Sequence, residues 1–272
     1  MDTLNHPHAQ ALLADTELSA EAVRSCADRL TAFAQRYLPR FHRAEQRPHA
    51  LAILRGKLTG LPRKTTEPIA TQAGLQRRPL QLLVGAGGWD DRAVLTELRT
   101  HVAEELADPD AVFVLDGSGF PKKGTASCGV ARQWCGRLGK VDNCQIGYFL
   151  AYVAPRGQAL LDAGLYLPKR WADDAQRRAQ TYVPNEVVFR EGWRIALGLR
   201  DEARRELPGT WVAGDDEFGR CTELRHALRW RRLRCVLDVP SNTLVREPSE
   251  RRPPVGQAAS RAGRCSSGSI SG

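Results

Sequence analysis

Two short stretches of the chain place acids where carboxylates do chemistry. In "VFVLDGSGFPKKG", residues 112–124, an apolar β-branched run meets one acid, Asp116, then passes through glycines to Pro121, Lys122 and Lys123. In "GTWVAGDD", residues 209–216, a second apolar run ends on Asp215 and Asp216. Runs of this kind read as buried strands, so each stretch sets an acid at a strand end. Three chemistries use such an acid. A phosphate-cradling loop needs G-x-x-x-x-G-K-[ST]; Gly119 and Gly124 have the spacing, but Thr125 stands where lysine is required. A phospho-aspartyl transferase uses a strand-end Asp as nucleophile, with a second acid two residues on, and Ser118 occupies that place. A two-metal phosphodiester site needs carboxylates converging from different elements. That reading uses both strands, and it gives Lys122 and Lys123 a DNA backbone to neutralise. The plainer reading of Asp116 is a turn residue capping "DGSG".

The elements that must hold these acids follow from pattern. Val23, Cys26, Leu30, Phe33 and Tyr37 recur at helical steps and predict a helix over 16–38, stopped by Pro39. A second helix is expected over about 48–59. A third is capped by Thr65 or Thr66 and stopped at Gly74. That short helix, then Arg77 and Arg78, then an apolar segment, fits either a helix-turn-helix contacting DNA or a plain helical bundle with exposed arginines. A further helix begins at Asp90 or Asp91, with Val94, Leu95, Leu98, Val102 and Leu106 on one face. From residue 111 the pattern turns to short strands, and the expected order is β-β-β-α-β-α-β. The predicted organisation is thus a helical region over 1–107, an α/β domain over 108–246 and a Ser-, Gly-, Pro- and Arg-rich disordered tail over 247–272.

Composition narrows the partner. The 272-residue chain carries a net charge of +9, which points to a polyanion, although a solvated arginine-rich surface has the same composition. Seven cysteines, at 26, 128, 135, 144, 221, 235 and 265, include no C-x-x-C pair, so reduced core thiols are expected rather than a zinc site. No run approaches the roughly 18 apolar residues of a membrane span, and the polar start "MDTLNHPHAQ" does not read as a secretory signal. A cytoplasmic, nucleoid-associated protein is expected.

The longer segment "LDGSGFPKKGTASCGVARQWCGRLGKVDNCQIG" resembles the first catalytic motif of DDE-type insertion-sequence transposases, in the group typed by insertion sequence 701. Those proteins carry "FPKKG" followed by "GVARQYCGxxGKxxNCQ". The likeness continues through "VPNEVVFR", "VAGDDEFG", "TELRHAL" and "VLDVPSNT", and so covers roughly residues 25–246. It implies a ribonuclease H-like α/β fold, which agrees with the strand order above. It implies that Asp116 is the first metal-binding acid and Asp215 the second, counted back from Phe218-Gly219, with Asp216 the close competitor. Gly214 stands where the family usually has Ala. The implied cofactor is Mg²⁺, with Mn²⁺ as substitute. The implied partner is double-stranded DNA, held at element ends and target by a homodimer or larger assembly.

The family's third acid, a Glu, belongs on a helix after the fifth strand. Here Glu247 and Glu250 fall in a Pro- and Ser-rich segment without helical pattern, so a catalytic domain truncated at its C-terminal end is expected. The resulting expectation is a DDE transposase or a truncated remnant of one. Its rivals are a catalytically dead DNA-binding regulator of transposition and a repair nuclease of the same fold. Arg132, Lys140, Asn143 and Gln145, in the matching segment, are expected to contact DNA or brace the site. Arg225, Arg229, Arg231, Arg232 and Arg234 line either a DNA channel or a solvated helix face. Trp134 and Trp193 are expected in the core, His226 at the surface, and Glu223 as helix-start charge.

Overall fold

The computed structural model describes residues 19–243. The expected helix start at 16–18, Cys265, Glu247, Glu250 and the tail from 247 lie outside the described residues. The chain divides into two compact units, one ending at Leu98 and the other beginning at Arg99. Among the described residues no helix is long and apolar enough to cross a membrane.

The first unit is helical. Helix α1 (Ala20–Tyr37) starts where the Ser19 hydroxyl accepts from the Ala22 N–H at 3.0 Å, and Pro39 in a following 3₁₀ turn ends it. Helices α2 (Gln46–Leu58), α3 (Thr66–Gln72) and α4 (Arg77–Gly85) pack on one another around Ile69, Ala70 and Leu80, with Ile53 and Leu61 against them. The apolar segment expected after Arg77 and Arg78 is thus a helix. Pro79 falls in its first turn, where no N–H is needed, and Leu80 and Leu83 form its buried stripe. Helix α5 (Asp91–Leu106) follows, with Asp90 accepting from the Ala93 N–H at 3.1 Å. Within the first unit Glu97 of α5 receives Arg36 and Arg40, each at 2.5 Å, and the Arg40 bond leads in holding its carboxyl below the usual range. The division between units falls inside α5, not at the change of pattern after residue 107.

The second unit is built on a mixed sheet. Its strands are β1 (Val112–Pro121), β2 (Ala131–Cys135), β3 (Lys140–Ala154), β4 (Gly157–Leu165), β5 (Trp211–Gly214) and β6 (Arg234–Leu237). β1 lies between β3, antiparallel to it, and β5, parallel to it; β6 continues beyond β5 in parallel. β4 and β2 share the far edge of β3. Three antiparallel strands followed by two parallel ones make the ribonuclease H-like sheet that the expected order describes, with β2 as an addition. Phe113, Leu115, Leu150, Tyr152, Leu161 and Val212 are buried in it, and helix α8 (Gly192–Ala203) lays Ala196, Leu199 and Ala203 against the core. Arg99 is buried with Asp162 at 3.3 Å and Glu206 at 3.1 Å, so its charge is matched inside the unit.

Three local expectations change. β1 does not stop at Asp116: residues 116–121 go on pairing with β3, from Asp116 opposite Phe149 to Pro121 opposite Cys144. The single helix expected between the third and fourth strands of the predicted order is α8, and two short helices, α6 (Lys169–Ala172) and α7 (Ala175–Gln180), precede it. Trp134 is not in the core; it is 60% exposed on β2, because its neighbour Cys135 takes the inward side of a strand that alternates. Trp171 fills that role elsewhere. It is fully buried with Val130 and Leu167, donates its indole N–H to the Val130 carbonyl at 2.7 Å and carries the Arg177 guanidinium 3.7 Å above its ring. Trp171→Ala is expected to cost about 3–5 kcal/mol, read as a lower urea midpoint with an unchanged slope.

Candidate active site

The pairing of β1 with β5 brings the two acids together. Leu115 lies opposite Gly214 at the end of that parallel ladder, so the next residue of each strand is an acid, Asp116 on one and Asp215 on the other. Neighbouring strands run about 5 Å apart. Partial burial, then the charge of Asp215, push the Asp116 carboxyl above the ordinary carboxylate range. Neither acid has an ion-pair partner among the described residues. Asp216 has one: it is bound by Arg220, four residues on. Asp215 instead caps helix α9 (Asp216–Gly219), accepting from the Glu217 N–H at 3.0 Å. Geometry therefore favours Asp215 over Asp216 as the partner of Asp116.

That cap also delivers a carboxylate the sequence reading passed over. Glu217 leaves part of its side chain open to solvent but turns its carboxylate inward, where the Tyr148 hydroxyl donates to it at 2.5 Å. A Cβ on Gly117 would lie 3.1 Å from the Glu217 carboxylate, so the bare backbone of β1 makes room for it. Partial burial raises the Glu217 carboxyl, opposed by the Tyr148 bond and helped by the charges of Asp215 and Asp116. Burial, then Glu217, hold the Tyr148 phenol well above its usual range, so it stays a donor. Tyr148 is wedged edge-on to Tyr166 and Phe218. The available signal for Glu217 was the run Asp215-Asp216-Glu217 at a strand-to-helix turn, which invited a choice of register instead of a count of three.

Other expected residues separate. Lys122 and Lys123 are exposed just past the end of β1, six residues beyond Asp116. At about 3.3 Å per extended residue that is roughly 20 Å from the acid, so they do not flank it. Asn143 and Gln145 brace this loop. The Asn143 amide donates to the Lys122 and Gly124 carbonyls at 2.7 and 2.9 Å, and Gln145 to the Cys128 carbonyl at 2.5 Å. Arg132 is exposed on β2, while Lys140 pairs with Asp142 at 3.0 Å. On helix α10 (Thr222–Trp230) and just after it, Arg229 is exposed and Arg232 has a left-handed φ of 56°. Arg231 is committed to Asp201 at 2.7 Å, and Arg225 to the Gly219 carbonyl. Arg234 lies over the Trp211 ring. His226 is exposed; Glu223 is exposed in the first turn of α10.

The sequence matches the DDE superfamily endonucleases over residues 36–269. This chain belongs to that superfamily. No curated protein matches it. The matched span includes both acids and runs past Glu247 and Glu250, beyond the described residues. The DDE chain is therefore a transposase-like nuclease, of a superfamily that acts on DNA and generally depends on a divalent metal. Its donors suit such an ion: Asp116 and Asp215 offer hard carboxylate oxygens on neighbouring strand ends, and among the described residues neither is paired with a cationic side chain. Among the described residues no three His, Cys, Asp or Glu side chains are arranged to hold a metal ion. One or two protein carboxylates, completed by water and substrate phosphate, is the usual way a Mg²⁺ ion is bound at phosphate chemistry.

Proposed function

We propose that the chain is a DDE transposase of the insertion sequence 701 group, cutting and joining DNA at the ends of a mobile element. The observation that carries the reading is the juxtaposition of Asp116 and Asp215 at the end of the β1–β5 ladder, without a counter-ion among the described residues. These two carboxylates would hold Mg²⁺, with Mn²⁺ as substitute. The metal would supply an activated water or 3′-hydroxyl for attack on a phosphodiester. The chain's own part is to fix the two acids on adjacent strands, so that no reorganisation is needed when the phosphate arrives. Glu217, held by Tyr148, adds negative charge beside them and positions the turn that carries Asp215.

Lys122, Lys123, Arg132 and Lys140 form the backbone-binding set at one end of the sheet; Arg229 and Arg232 contribute from the α10 side, with Arg231 bracing α8 through Asp201. The working form is a homodimer or larger assembly on duplex DNA in the nucleoid, since two element ends must meet in one complex.

The test is a supercoiled-plasmid nicking assay with the full chain, in Mg²⁺, Mn²⁺ or chelator, on plasmids with and without the element's inverted ends. Metal-dependent nicking that prefers the ends is expected. DNA binding without nicking in either metal would replace this reading with a DNA-binding regulator of transposition. Nicking that follows DNA structure and ignores the ends would replace it with a repair nuclease.

A further inference from the structure

Helices α3 and α4 are joined by four residues, Ala73 to Gln76, and the joint is tightly specified. Gly74 sits at a left-handed φ of 66°, the Leu75 N–H returns to the Ala70 carbonyl at 2.9 Å, and the Gly74 N–H returns to Thr71 at 3.2 Å. Such a closure stops one helix and fixes the departure of the next. Behind the pair, α2 packs against both, and Ile69 and Leu80 are buried between them. Arg77 and Glu67 clasp α4 to α3 across the turn at 3.1 Å. Two short helices, a glycine turn and a third helix behind them are the parts of a helix-turn-helix.

The outward face of α4 is what such a unit presents to a groove. With Leu80 and Leu83 inward, helical spacing puts Arg78, Gln81, Leu82 and Gly85 on the opposite ridge. Arg78 is exposed and has no ion pair among the described residues; Gln81 is half-buried and Leu82 is 43% exposed. Arginine matches the two acceptors of guanine, glutamine the donor and acceptor of adenine, and leucine the thymine methyl group. Nine residues of helix span about 13 Å, close to the roughly 12 Å width of the major groove. Residues 45–91 hold seven Lys and Arg against four acids, Glu45, Glu67, Asp90 and Asp91, and Glu67 is already paired with Arg77. The surroundings therefore favour a polyanion.

We propose that α3, the Gly74 turn and α4 read duplex DNA sequence in the major groove, with Arg78 and Gln81 contacting base edges. The inference rests on the transposase reading, in that it names the part of the chain that recognises particular DNA ends.

The experiment uses the full chain in chelator, selected on a pool of randomised 30-base-pair duplexes, followed by anisotropy titrations of the enriched and a scrambled duplex. Enrichment of a defined sequence is expected. Arg78→Ala and Gln81→Ala should each lower the preference for it by about tenfold to a hundredfold, while scrambled-duplex affinity stays within about threefold. Arg78→Lys keeps the charge, and with it the salt dependence, but should lose preference, because it cannot bind guanine through two parallel bonds. Far-ultraviolet circular dichroism confirms that each variant is folded. Methylation of guanine N7, in the major groove, should block the enriched site. If no sequence is enriched while the wild-type chain still nicks DNA in Mg²⁺, the reading helix is wrong and the nuclease reading stands. An enriched sequence whose preference survives all three substitutions also overturns the proposal. Enrichment that depends on Arg78 in a chain that never nicks would keep the reading helix and remove the transposase assignment.

Discussion

Replacing Asp116 with Asn is expected to lower metal-dependent nicking by at least about 10³-fold, while duplex binding in chelator changes little. Asp215→Asn should match it, and the double variant should be hardly worse than either, because on the proposed reading both acids belong to one metal site. Asp216→Asn, which removes only the partner of Arg220, should retain most activity.

A stability readout separates this from simple damage. Asp116 titrates above its ordinary 3.8 in the folded chain, and Glu217 above its ordinary 4.5. Between the ordinary and the raised values the folded state binds more proton than the unfolded state. The stability from that proton is complete below the ordinary values and is lost as pH climbs through the raised ones. At neutral pH the ionised acids therefore weaken the metal-free fold. Asp116→Asn should raise its Tm slightly, on the order of 1 °C, since solvent screens a carboxylate this open. Mg²⁺ should reverse the order: at about 100 times its Kd it adds roughly 2.7 kcal/mol to the wild type and far less to the variant. A variant that is inactive because it is misfolded would show a lower Tm in both conditions.

The second large effect is expected at Gly192→Val. Gly192 opens α8, and a Cβ there would fall within the Tyr148 ring. The ring has nowhere to go: Tyr166 and Phe218 flank it, and its hydroxyl is bound by Glu217. Overpacking of this kind costs about 1–3 kcal/mol or more. Moving Tyr148 also releases the Glu217 side chain, so nicking should fall together with the urea midpoint. Trimming the ring in the same chain, as Gly192→Val with Tyr148→Leu, should recover part of the lost stability. A double-mutant cycle showing no coupling between the two positions would contradict the packing described.

The acids were legible in sequence because a buried apolar strand is a poor place for a carboxylate, and an exception there asks for a reason. The extent of β1 was not. Gly117, Gly119 and Pro121 read locally as chain breakers, and only pairing with β3, whose residues lie more than twenty positions further along, keeps them extended. The bounds of helix α4 were not legible, because Pro79 gives no local sign that it sits in a first turn. Glu217 was missed for a related reason. Its neighbours in space, Gly117 and Tyr148, are distant in sequence, and a single chain offers no sign of which residues meet across a sheet.

The unbroken run of β1 past its acid sets a length scale on the substrate. Duplex DNA rises about 3.4 Å per base pair, so the roughly 20 Å of strand from Asp116 to Lys122 equals about six base pairs. A backbone phosphate gripped by Lys122 or Lys123 would then lie about half a helical turn from the bond being broken, on the opposite side of the double helix unless the DNA bends or opens. If these residues take the proposed roles, the strand is a ruler, and inserting or deleting two residues within 117–121 would keep its facing pattern while moving the grip by about two base pairs relative to the cut.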